Sequence, residues 1–345
     1  MISKLSTITS SIGKLTSTAA IMRWFDRSND KESVTKTEQL APQAQALLDQ
    51  IAAAPPARNI DEARQGYRAI VPLAGAPEPV AKIEERQIPG PAENIPLRIY
   101  TPQGDGNFPV LVYLHGGGFT TGDFDTHDAQ CRAFASRADS IVISIGYRLA
   151  PENKFPAALE DAFAATEWFA EHAAEIGGDP TRIAIGGDSA GGTLATVVAM
   201  MARDRGSPAL VYQLLIQPNT DATLSTASWE KFGRKYPTLN KDWMVASLAS
   251  YLPENVDRKD YRVSPLWAAN LKGLPPALVI TAELDPLRDE GEAYADRLKE
   301  AGVPVVCTRY RGMTHGFFQM AGVLDQGKKS IEEIAAALRA AFAKS

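Results

Sequence analysis

The sequence predicts an α/β fold: a mixed, mostly parallel sheet of eight strands, flanked by helices and roofed by a helical cap. Three observations carry that expectation. Strand-like apolar segments alternate with helical segments from Ala81 to the carboxyl terminus, the pattern of parallel crossovers. Two of those segments, Pro109–Leu114 and Ser140–Ile145, are almost continuously apolar, as strands covered on both faces are. Between Ile216 and Pro276 lie about sixty residues without a strand pattern, more than a crossover helix takes up.

Taken in order, Ile2, Leu5, Ile8, Ile12, Leu15 and Ala19 recur every three or four residues and predict an amphipathic helix, with charged Asp30–Thr37 as a linker. Its stripe calls for cover, on the body or on a second copy. A membrane-surface helix is disfavoured because lysines are sparse on the polar face. Ala44, Leu47, Leu48 and Ile51 predict a helix over Pro42–Ala53, stopped by Pro55-Pro56, and Ile60–Ile70 reads as another with Asp61 in its first turn. Pro72–Pro79 is a connector.

From Ala81 the period changes to two. Ile83–Ile88 and Ile95–Tyr100 alternate like antiparallel strands around the turn signals Pro89-Gly90-Pro91 and Glu93-Asn94. Helices over Asp128–Ala138 and Pro156–Ala174 separate the next strands, which continue at Arg182–Ile185, Leu210–Ile216, Ala277–Thr281 and Val305–Tyr310. The early helices precede any strand and cannot be crossovers. Residues 38–80 and 221–273 are therefore assigned to the cap, 81–220 and 274–345 to the main domain, and 1–37 to a separate helix and linker.

Composition narrows the function class. With 45% hydrophobic residues the 345-residue chain can bury a large core. A net charge of −5 without a long basic run argues against a nucleic-acid partner. No apolar run approaches the ~20 residues that cross a bilayer. Cys131 and Cys307 are the only cysteines, with no CxxC or His-rich metal spacing, so both are expected as buried apolar side chains in a reducing, cytoplasmic setting. Lys4 and Lys14 without an uninterrupted apolar stretch leave secretion as the weaker alternative.

The chemistry gathers at Ile183–Gly192, IAIGGDSAGG, where an apolar strand breaks into glycines, places one serine, and resumes as a helix with Leu194, Val197, Val198 and Met201 on one face. A serine on such a hairpin is strained, and only small neighbours at Gly187 and Gly191 leave it room. Ser189 is the candidate nucleophile, and the Ala190 amide at the helix start a candidate oxyanion donor. His115-Gly116-Gly117-Gly118 follows a buried strand directly, so the Gly117 and Gly118 amides are further donors, with His115 holding the loop. A serine needs a base, and the base an orienting carboxylate. Of the four histidines, His127 and His172 are expected on or beside solvated helices, leaving His315, in the loop after the last strand. For the acid, Asp285 follows the strand Ala277–Thr281. Asp221 competes, Asp289 looks suited to capping the next helix, and Asp188 is expected to point away from the base.

HGGGF at His115–Phe119, YRLAPE at Tyr147–Glu152, GDSAGG at Gly187–Gly192, DPLRDE at Asp285–Glu290 and THGF at Thr314–Phe317 resemble, in that order, the hormone-sensitive-lipase-like esterases. The resemblance runs from about Ile83 to the carboxyl terminus. It implies an α/β-hydrolase fold with a helical cap and hydrolysis of carboxylic esters by Ser189, Asp285 and His315, without metal or organic cofactor. Thr193 stands where many members have Asn, and the resemblance is silent on Met1–Thr37. Rival readings are an amide or acetyl hydrolase, and a ligand-binding receptor such as the plant gibberellin receptors, which lack the histidine that His315 supplies here. The cap aromatics Trp229, Phe232, Trp243 and Tyr251, with Phe119, are the expected pocket for a small ester of short or medium acyl length. A homodimer is expected through Val305–Tyr310 or the first helix.

Overall fold

A computed structural model describes residues 38–51 and 57–345. The helix expected over Ile2–Ala19, its linker Asp30–Thr37 and the Pro55-Pro56 stop lie outside the described residues.

The sheet has eight strands in the order β1-β2-β4-β3-β5-β6-β7-β8. They are β1 (Lys82–Ile88), β2 (Ile95–Thr101), β3 (Phe108–Leu114), β4 (Ile141–Ile145), β5 (Gly178–Asp188), β6 (Leu210–Ile216), β7 (Ala277–Ala282) and β8 (Val305–Tyr310). β1 and β2 are antiparallel, with Ile88 opposite Ile95 and Glu85 opposite Arg98. β2 is antiparallel to β4, and every later pairing is parallel, as the sequence predicts. One boundary differs. The strand expected over Arg182–Ile185 begins earlier, with Gly178-Asp179-Pro180 belonging to β5, whose register with β3 shifts between the Phe108 and Val110 pairings. A proline is tolerated in a strand at such an irregularity.

The helices are α1 (Pro42–Ile51), α2 (Ile60–Arg68), α3 (Asp128–Ala138), α4 (Ala157–His172), α5 (Ala190–Arg205), α6 (Ala227–Phe232), α7 (Lys241–Tyr251), α8 (Arg288–Glu300) and α9 (Asp325–Phe342). Strand alternation sends Val110, Val112 and Leu114 of β3 into one core with Phe163 and Phe169 of α4, Leu194 and Val198 of α5 and Leu298 of α8. Leu111 and Tyr113 of the same strand enter the other core, with Phe134 of α3 and Ile334 and Leu338 of α9. Each such side chain contributes about 1.5–3 kcal/mol on burial. A one-residue slip of β3 would exchange the two sets.

Because α5 lies between the sheet and α4, it is buried almost all round from Ala190 to Met200; Met201, expected on its buried stripe, is half-exposed. Cys131 is buried within α3, whereas Cys307, expected buried, is only partly covered because β8 ends the sheet. No helix among the described residues is long and apolar enough to cross a membrane.

Strand order also fixes where a ligand can sit. The chain leaves β3 for β4 on one side and returns to β5 on the other, so the loops after β3 and β5 diverge and open a crevice at their carboxyl ends. His115–Gly118 and Ser189 occupy those two loops.

Candidate active site

Ser189 joins β5 to α5 with φ 52° and ψ −118°, a left-handed conformation that costs a non-glycine residue about 1–3 kcal/mol. The neighbouring glycines make it feasible. A Cβ on Gly191 would collide with the Leu114 carbonyl oxygen, and one on Gly187 would lie 2.5 Å from that same oxygen. The hairpin is thus packed hard against the end of β3, which brings the serine beside the glycine loop.

His315 lies 126 residues further along the chain, and its Nε2 is 3.1 Å from Ser189 Oγ. Its Nδ1 is 2.8 Å from Asp285 Oδ2. A carboxylate only accepts, so Nδ1 carries the proton and Nε2 is left to accept from the serine hydroxyl. Asp285 is itself oriented: its Oδ1 accepts from Leu287 N at 2.9 Å. Burial opposes a charge on His315, but the charge and hydrogen bond of Asp285, helped by Asp188, outweigh it and raise the histidine above its ordinary value. Among the described residues the amides of Gly117, Gly118 and Ala190 donate no hydrogen bond. They remain free for a ligand oxygen.

The other carboxylates have separate work. Asp221 accepts from Thr223 N and from Trp267 Nε1 at 3.1 Å. Asp289, expected to cap the helix that follows it, instead lies in the first turn of α8 and accepts from Ser228 N, in the first turn of α6, at 2.8 Å. The fold brings α6 across that turn, where its unpaired amide is the nearer donor. Asp188 points away from His315, accepting from Tyr113 Oη at 2.7 Å and Gly116 N at 2.9 Å, so the elbow and the glycine loop are tied together. Burial opposes its ionisation, yet His127 and Tyr113 hold it below the ordinary carboxylate range.

His127 corrects a sequence expectation. It is not beside solvent but fully buried, with Nε2 3.2 Å from Asp188, because the start of α3 is folded under the glycine loop. His172 is half-buried at the end of α4, stacked on Trp168. His115 holds its loop: Tyr147 Oη donates to its carbonyl at 2.7 Å and the rings stack at 4.4 Å. Burial, with His127 nearby, pushes His115 down to about 4, so it is neutral.

The family described as the alpha/beta hydrolase fold matches residues 111–319. The chain is 45% identical over 290 residues to the carboxylic ester hydrolase LipN of Mycobacterium tuberculosis, covering 82% of this chain and 76% of that protein. It is 45% identical over 270 residues to carboxylesterase NlhH of the same organism, covering 76% and 84%. The solved structure of the hyperthermophilic esterase from the archaeon Pyrobaculum calidifontis superposes with a TM-score of 0.84 at 41% identity, over 88% of this chain and 98% of that one. The chain belongs to the hormone-sensitive-lipase-like α/β hydrolases.

Within this α/β hydrolase the five pocket candidates are placed unequally. Trp243 keeps partial exposure, and a Cβ on Gly118, at φ 60°, would run into its indole ring, so it lies directly over the glycine loop. Phe119 and Tyr251 are buried and stacked on each other at 4.0 Å with 4° between their planes. Trp229 is buried with Nε1 donating to Glu290 Oε2 at 2.9 Å. Phe232 is buried, stacked on Tyr236 with the Arg288 guanidinium over its ring. No cluster that could hold a metal occurs among the described residues.

Two buried polar residues escaped sequence reasoning. Glu290 accepts from Asn219 Nδ2, the amides of Thr220 and Asp221, and Trp229 Nε1, linking α8 to the segment after β6 and to α6. Burial pushes its carboxyl up to about 8 against those donors. Gln217 follows β6 and touches the loops of both Asp285 and His315. A polar side chain just past a buried parallel strand was the only signal available for it.

Proposed function

We propose that this carboxylic ester hydrolase is a serine esterase that cleaves short- to medium-chain acyl esters through an acyl-enzyme. The observation that carries the reading is the continuous relay from Ser189 Oγ through His315 to Asp285, at 3.1 and 2.8 Å, beside three free amides. Ser189 Oγ attacks the ester carbonyl carbon while His315 Nε2 takes the hydroxyl proton. The Gly117, Gly118 and Ala190 amides hold the resulting oxyanion, each worth about 2.7–4 kcal/mol. The intermediate collapses, the C–O bond to the alcohol breaks, and His315 returns the proton to the leaving oxygen. Water then attacks the acyl-serine with the same proton route and restores Ser189.

We read residues 38–80 and 221–273 as the cap and 81–220 with 274–345 as the main domain. The limit on acyl length is supported by aromatic rings close to the glycine loop: Trp243 over Gly118, and the Phe119–Tyr251 stack. Each methylene that fits adds about 0.8 kcal/mol, until the next carbon must displace a packed ring. Chromogenic esters of increasing acyl length, with a matched anilide and an emulsified long-chain triglyceride, test this. Turnover rising and then falling with length is expected, with little on the anilide. Rates still climbing past about ten carbons, or a jump once droplets form, would overturn the chain-length reading.

A further inference from the structure

Gln217 stands in an unusual place and conformation. It directly follows β6, is 2% exposed, and takes φ 45°, a left-handed value that its side chain disfavours. Its backbone N–H continues the ladder to the Ile280 carbonyl at 2.7 Å, so the residue is anchored to β7, the strand that leads to Asp285. Its side chain then makes three contacts. Nε2 donates to Asp285 Oδ2 at 2.6 Å and lies 3.4 Å from the Thr314 carbonyl, and Oε1 accepts from Gly316 N at 2.9 Å. Those partners settle which end of the amide is which, because a flipped group would face oxygen to oxygen and N–H to N–H.

The geometry is selective for the relay. Asp285 Oδ2 is the same oxygen that faces His315 Nδ1. Thr314 and Gly316 are the residues on either side of His315. One planar amide therefore grips the carboxylate and both flanks of the imidazole, across loops that follow different strands. We propose that Gln217 is a positioning residue of the acid–base pair, fixing His315 relative to Asp285 and drawing off part of the charge on the shared carboxylate oxygen. This rests on reading Ser189, His315 and Asp285 as the reacting relay. Gln217 touches none of the three amides assigned to the oxyanion, so its effect falls on proton transfer and not on substrate binding.

The charged groups acting on His315 are Asp285 and Asp188, and only Asp285 accepts from Gln217. Removing that N–H leaves Asp285 Oδ2 with more charge to hold the imidazolium proton. In Gln217→Met the ascending limb of the kcat/KM–pH profile should move to higher pH, and kcat should fall roughly ten- to hundredfold with KM within about twofold. Gln217→Glu is the conservative rescue. With its carboxyl protonated it donates to Asp285 and accepts from Gly316 as glutamine does, so kcat returns towards wild type at low pH. Two carboxyl groups this close share one proton, and losing it at higher pH adds a descending limb absent from wild type.

The experiment is the full pH profile of both variants and wild type on one short-chain chromogenic ester, with thermal midpoints measured alongside. A shifted ascending limb in Gln217→Met, or the new descending limb in Gln217→Glu if the methionine variant does not fold, supports the assignment. Unmoved limbs in the folded variants overturn it, including the case in which only the midpoint drops. Ser189→Ala run in parallel separates the two readings: full turnover there sinks the relay itself, whereas its loss leaves Gln217 to be judged on the limbs.

Discussion

Replacing the Asp285 carboxylate by an amide tests the relay most sharply, because every atom around it is accounted for. In Asp285→Asn one oxygen becomes an NH2. If that NH2 takes the Oδ2 place it meets the Gln217 Nε2 donor, 2.6 Å away, and the proton of His315 Nδ1, 2.8 Å away. If it takes the Oδ1 place it meets Leu287 N–H at 2.9 Å. Either orientation leaves one buried donor unpaired, Gln217 Nε2–H or Leu287 N–H, a cost of about 1–3 kcal/mol in stability, and removes the charge that supports the imidazolium; the first also drives His315 to carry its proton on Nε2, where it can no longer accept from Ser189. Loss of the correct tautomer lowers kcat by about ten-thousandfold in a serine triad, or about 5.4 kcal/mol.

Two carboxylates serve as controls. Asp221 Oδ1, which an asparagine retains, takes both Thr223 N and Trp267 Nε1, while Oδ2 meets only the Ser225 hydroxyl at 3.5 Å, which can turn to accept from an NH2, so Asp221→Asn should stay within a fewfold of wild type. Asp289→Asn keeps an acceptor for Ser228 N and should be equally mild. The assay is steady-state kcat and KM on a short-chain ester across pH. Because Asp285 raises His315, the small residual activity of Asp285→Asn should show its ascending limb at lower pH than wild type. Asp285→Asn retaining more than a tenth of kcat, or Asp221→Asn proving the severe change, would refute the assignment of the acid.

Ser189→Ala and His315→Ala should each remove about six orders of magnitude in kcat without loss of fold, checked by single-turnover assay and circular dichroism; substantial turnover in the serine variant would end the mechanism. Trp243→Ala should shift the acyl-length optimum to longer chains, since the ring over Gly118 is removed, and an unchanged optimum would mean that this ring does not bound the pocket. Glu290, pushed up to about 8, takes up a proton on folding, so its contribution to stability is full below its ordinary value near 4.5 and is lost as pH rises through about 8. Glu290→Gln sets an NH2 against Trp229 Nε1–H or the Thr220 and Asp221 amides, so its melting temperature should lie furthest below wild type in acid and the gap should narrow towards pH 9; a constant gap would count against that proton uptake. β8 leaves one edge of the sheet unpaired among the described residues, where a second copy would extend it; light scattering that finds only monomers at micromolar concentration would exclude this.

What the chain determined by itself were features written in neighbouring residues. Strand period, apolar runs at β3 and β4, the glycines that let Ser189 turn sharply, and the glycine triplet after β3 are all set within a few positions, and local sterics decide them whatever the rest of the chain does. What only the tertiary structure decided were partnerships across the sheet. Asp221, Asp285 and Asp289 look alike as carboxylates in loops, and they part company only because β6 and β7 lie side by side and α6 crosses the start of α8. His127 reads as a solvated helix-end histidine until α3 is folded beneath the glycine loop and buries it on Asp188. Gln217 carries no motif at all. Its place beside Asp285 and the His315 loop, 68 and 99 residues along the chain from its contacts, comes from strand order, and strand order is fixed by which apolar faces can be covered together and not by any short stretch of sequence.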